Sequence, residues 1–133
     1  MLVDDDQDTD GGWGIRVLVK PTSPRRARIV QIYAHLQAVR VQPGDRLVAG
    51  SVFAEVGGPP HNGNWHPHLH VQAIREAHFQ EVLVERFREM DGYGHQDDLA
   101  KLRRDFPDPL LRFPEFARRE PGTARSRFRG APA

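Results

Sequence analysis

From Trp13 to Ile74 the chain is cut into short apolar pieces by proline and glycine, and this punctuation leaves room for strands but not for long helices. Ile15 to Val19 reads as a strand, and Pro21-Thr22-Ser23-Pro24 as the turn or loop after it. Arg28 to Leu36 reads as a second strand. Val30, Ile32 and Ala34 lie on one of its faces, and Ile29, Gln31, Tyr33 and His35 on the other. Val39 to Val41 and Leu47 to Ala49 are short extended pieces around a Gln42-Pro43-Gly44-Asp45 turn. Ser51 to Val56 is a further strand, and a loop from Gly57 to Pro67 leads into a last one. Strands this short and this closely spaced predict a mainly β chain, a small antiparallel sandwich or barrel-like hybrid fold.

After Arg75 the period changes. Phe79, Val82, Leu83, Phe87 and Met90 fall on one helical stripe, so residues 78–90 are expected to form an amphipathic helix on the C-terminal side of the sheet. Asp97 is placed to cap a second short helix that turns Leu99 and Leu102 inward and stops before Pro107. The expected divisions are an acidic, disordered tail over residues 1–11 and a β domain over 12–76. A helical extension over 77–106 and a Pro/Arg-rich tail over 107–133 follow.

A chain of 133 residues with net charge +1 is one modest domain whose bulk charge selects no partner. The charge is uneven, with aspartates crowding the start and arginines the end, as solvated tails have it; nucleic acid is not an expected partner. There is no cysteine, which excludes disulfides, thiolate metal sites and a cysteine nucleophile. No apolar run approaches the roughly 20 residues that span a bilayer, so no membrane partner is expected. The acidic start is unlike a signal peptide, which points to the cytoplasm or to a piece of a longer protein.

Five of the seven histidines fall between Gly57 and His78. In Pro67-His68-Leu69-His70-Val71-Gln72 strand alternation puts His68, His70 and Gln72 on one face and Leu69 and Val71 on the other. An apolar strand face has no use for two imidazoles. A metal ligand and a proton-transfer partner do, because neutral imidazole binds zinc and titrates near neutrality.

Four segments, in order, resemble the lysostaphin/LytM-type zinc metallopeptidases. Gly12-Trp13-Gly14 before Ile15 to Val19 is similar to the family's Gly-x-Gly lead-in to a central strand. Tyr33-Ala34-His35-Leu36 matches its Tyr-Ala-His-Leu residue for residue, and Pro67-His68-Leu69-His70 its Pro-His-Leu-His. Val41 to Leu47 with Gly50 resembles its Val-x-x-Gly turn unit. The resemblance covers about residues 11–74. It implies a small antiparallel β fold around one zinc ion, His70 as a zinc ligand, and His68 and His35 as histidines that assist catalysis. It implies endopeptidase chemistry on peptides such as cell-wall cross-links, with zinc polarising the carbonyl and activating water.

One part of the pattern is missing. The family's other two protein ligands come from an upstream His-x-x-x-Asp, and no histidine precedes His35 here. A catalytic zinc needs three protein ligands, so the expectation is an incomplete site, with His61 or His66 as substitutes or the missing ligands supplied from outside the chain. The Asn62-Gly63-Asn64-Trp65 approach and Asp105-Phe106-Pro107-Asp108-Pro109 resemble a subgroup in which a peptidase-like domain sits between a phosphotransferase-like and a class-III aminotransferase domain. The alternative to a peptidase is a non-catalytic relative that binds a peptide, a glycan or a partner domain. A biotinyl- or lipoyl-type carrier is disfavoured because neither Lys20 nor Lys101 stands at a hairpin tip between two strands.

Overall fold

Among the described residues Ile29–Gln37 is the longest strand, and the rest of the sheet is arranged on its two flanks. A computed structural model describes residues 2–6, 8, 10–22, 28–79 and 94–112. In chain order the strands are β1 Leu2–Asp6, β2 Gly14–Val19, β3 Ile29–Gln37, β4 Glu55–Val56 and β5 His70–Arg75. All pairings are antiparallel. β1 lies against β2, β2 against one flank of β3, and β5 and β4 follow one another along the opposite flank. The fold is mainly antiparallel β with a short C-terminal helix, α1, at Leu99–Asp105, as the punctuation of the sequence predicts.

The core follows the alternation of β3. Val30 and Ile32 face the same way as Leu18 across β2 and Ile74 across β5, and these four side chains form one buried cluster against which Phe79 and Phe106 pack. Each such burial contributes on the order of 2 kcal/mol. On the opposite face Val17 and Ala73 are fully buried, and Phe53 meets the ring of Tyr33 edge-on at 5.3 Å. The stretch from Val39 to Ala54 is irregular, apart from its turns and one tie from Arg40 N–H to the Phe53 carbonyl. Of the strand expected at Ser51 to Val56, only Glu55 and Val56 pair with β3.

Two expectations from sequence are corrected. Leu2–Asp6 is not a solvated tail but an edge strand in register with β2 from Leu2↔Leu18 to Asp6↔Gly14. Its alternate aspartates are used: Asp4 pairs with the buried guanidinium of Arg16, and Asp6 Oδ2 accepts the Trp13 N–H at 3.1 Å. A run of aspartates looks solvated until its partners across the sheet are known. The second correction concerns the short helix. His95, not Asp97, caps its leading 3-10 turn, with Nδ1 accepting from Asp97 N–H at 3.4 Å, and Leu99 is left exposed. Helix α1 stops at Asp105, ahead of Pro107, as expected. Residues 76–79 are helical, and the remainder of the helix expected over 78–90 lies outside the described residues.

Candidate functional site

The alternation of β3 fails at the residue the site needs. Ile15 pairs with Leu36 and Val17 with Tyr33, so Arg16 alone on β2 faces both Ala34 and His35 on β3. That is a β-bulge. His35 sits in it with φ of +60°, a left-handed conformation unusual for a residue with a Cβ. The strain is held by two backbone bonds: His35 N–H donates to the Trp13 carbonyl at 2.9 Å, and Gly57 N–H to the His35 carbonyl at 2.7 Å. Ala34, His35 and Leu36 are consequently all buried, which no regular strand with one solvated face would allow.

Across the flank, β5 begins at His70, opposite Ala34. His68 therefore lies in the irregular approach to the strand rather than within it, while His70 and Gln72 share a face as the alternation predicts. The three imidazoles converge. The ring of His35 stands 4.5 Å from that of His68 and 5.8 Å from that of His70. Trp13 lies 4.7 Å from His70, and Trp65 6.4 Å from His35, so two indoles flank the cluster. The cluster thus joins the Gly-Trp-Gly lead-in, the Tyr-Ala-His-Leu strand and the Pro-His-Leu-His segment.

The loop that closes the cleft is fixed by residues the sequence reading left without a role. Asn62 is fully buried, and its Nδ2 donates to the carbonyls of Trp65 at 2.8 Å and Gly57 at 3.2 Å. Trp65 Nε1 donates to the Gly12 carbonyl at 3.2 Å, and Gly11 N–H to the Gly63 carbonyl at 3.0 Å. Gly63 lies so close that a Cβ there would stand 2.0 Å from the Gly12 oxygen, and its φ of +79° is one that residues with a side chain rarely adopt. An Asn-Gly pair is the one sequence signal that marks this turn in advance.

Burial is the main cause that lowers the His35 pKa below its ordinary value, followed by the neighbouring His68 and His70. The carbonyls of Asn62 and Trp13 lie near enough to favour the protonated ring, but neither makes a hydrogen bond with the buried Nδ1. His70 is lowered chiefly by burial as well, and the Gln72 side chain opposes the shift. His68 Nδ1 lies 2.6 Å from the His66 carbonyl oxygen, a contact that needs the hydrogen on Nδ1. Burial therefore favours the neutral form of His35 and His70, which can accept protons or hydrogen bonds.

Among the described residues no group of three or more His, Cys, Asp or Glu side chains is placed to hold a metal ion. His61 does not join His70; it lines a separate cavity of about 230 Å3 with Asp5, Asp6 and Asp8. His66 is exposed. The described residues do not supply the three-ligand set of a catalytic zinc. Beside His70 a groove of about 340 Å3 runs between β5 and the C-terminal segment around Leu102 and Phe106. Among the described residues no helix is long and apolar enough to cross a membrane.

Compared with family models, with curated proteins and with solved structures, the chain matches none.

Proposed function

We propose that this chain is a lysostaphin/LytM-type metallopeptidase-like domain that carries the downstream half of a zinc endopeptidase groove and, by itself, binds peptide without cleaving it. The observation that carries the reading is the meeting of His35 with His68 and His70 in a cluster flanked by Trp13 and Trp65, without a metal-ligand set among the described residues. Imidazoles whose burial favours the neutral form, as at His35 and His70, suit the N–H donors of a peptide backbone, and the flanking rings suit its apolar parts. In a longer protein with phosphotransferase-like and aminotransferase-like neighbours, a preceding segment with His-x-x-x-Asp would supply the absent zinc ligands, and His70 would join them.

Both tryptophans of the chain border the cleft, so intrinsic fluorescence reports on this site alone. Titration with pentaglycine or a cell-wall stem peptide is expected to change the emission saturably. The response should be lost in His35→Ala, zinc by elemental analysis should stay well below one per chain, and no cleavage should be seen. One zinc per chain, lost in His70→Ala and accompanied by hydrolysis, would replace the binding reading with a catalytic one. A silent titration would remove both.

A further inference from the structure

The groove beside His70 is lined by His70, Val71, Gln72 and Ala73, four consecutive residues of one strand. Side chains of a strand alternate between faces, so four consecutive residues share a groove when it follows the strand's edge. The hydrogen-bond phase of β5 says which groups that edge offers. Glu76 N–H donates to the Arg28 carbonyl at 2.8 Å, in register with Arg75↔Ile29 and the pairs that follow. In an antiparallel ladder hydrogen-bonded pairs alternate, so Ile74, Gln72 and His70 turn their backbone groups toward β3. Val71, Ala73 and Arg75 turn theirs away, and among the described residues no strand pairs with that side.

The far wall of the groove brings a charge. Arg103 is exposed, lines the groove, and has no ion-pair partner among the described residues, whereas its neighbour Arg104 is bonded to Asp105. Leu102, Phe106 and Pro107 supply the apolar remainder. Two outward-facing residues on the edge, about 6.6 Å apart by strand rise, match one dipeptide repeat of an extended chain.

We propose that this groove takes an extended peptide bearing a carboxylate. The peptide is added as a strand to the edge of β5 that no described strand pairs, through the N–H and C=O groups of Val71 and Ala73, with its carboxylate on Arg103. Strand addition of this kind takes affinity from main-chain bonds and selectivity from the walls. The inference rests on the reading of the neighbouring cleft as a peptide site, and adds the strand that reads the peptide and the charge it recognises.

The test is amide hydrogen exchange in the full chain, followed by NMR at Val71 and Ala73, with acetyl-tetra-alanine as the probe. Without peptide both amides should exchange as unpaired groups do, and at saturation at least about tenfold more slowly, as ladder amides do. The C-terminal amide of the probe should bind about tenfold more weakly, the scale of a lost charge-assisted bond. That difference should vanish in Arg103→Gln. A third probe, the amide with one internal aspartate, assigns the source of the charge: recovered affinity means an acidic side chain, unrecovered affinity the chain end. Protection of Val71 and Ala73 in the free protein would show the edge already covered and overturn the proposal. So would the absence of slowing with all three probes, or equal binding of acid and amide. A fluorescence response at the tryptophans without edge protection removes this inference and leaves the reading of the cleft standing.

Discussion

His35 has the side chain the site needs in a conformation that a side chain resists. A left-handed residue with a Cβ costs about 1–2 kcal/mol, and a β-branched one costs more. His35→Gly should therefore be the milder substitution and His35→Val the harsher, by about 2 kcal/mol in urea unfolding. Equal midpoints, or a more stable valine variant, would show that the bulge does not constrain this residue. The importance of His35 was legible in Tyr33-Ala34-His35-Leu36, but its orientation was not. Strict alternation put it on the face of Tyr33, because no glycine in the tetrapeptide announces a left-handed residue. The bulge exists only as a mismatch between two strands, and one strand's sequence does not contain it.

The elements divide along the same line. β2, β3 and the strand that begins at His70 were readable because each carries its own apolar alternation. β1 was not, because its residues are acidic and its reason for pairing lies across the sheet, in the buried Arg16. The irregular stretch from Val39 to Ala54 was overread for the opposite cause, valines without a partner strand. The role of β1 can be measured. Asp4→Ala removes the carboxylate from a guanidinium that is 1% exposed and should cost about 2–3 kcal/mol, whereas Asp10→Ala, on the exposed connection, should stay within about 0.5 kcal/mol. Equal, small losses in chemical denaturation would return the N-terminal residues to the status of a tail.

At the scale of the whole molecule the buried imidazoles tie stability to pH. His35 and His70 have folded-state pKa values below their ordinary 6.5, so between those values and 6.5 the unfolded chain binds more protons than the folded one. Their contribution is complete above pH 6.5 and is lost as pH falls through the depressed folded values. Asp105, held below its ordinary 3.8 mainly by hydrogen bonds from Arg104, contributes above that value and loses its contribution in stronger acid. Urea midpoints should drop between pH 7.5 and 5, and the drop should shrink when both histidines are replaced by asparagine; a midpoint independent of pH over that range would contradict the burial of neutral rings. The way β4 and β5 share one flank of β3 has a consequence for how such a protein can change over generations. The two strands are held separately, one above the bulge and one below it, and the chain between them, residues 57–69, makes the wall of the cleft. Residues can be gained or lost there without shifting the pairing of either strand, so the shape of the ligand can drift while His35 and His70, held on the two strands, keep their places.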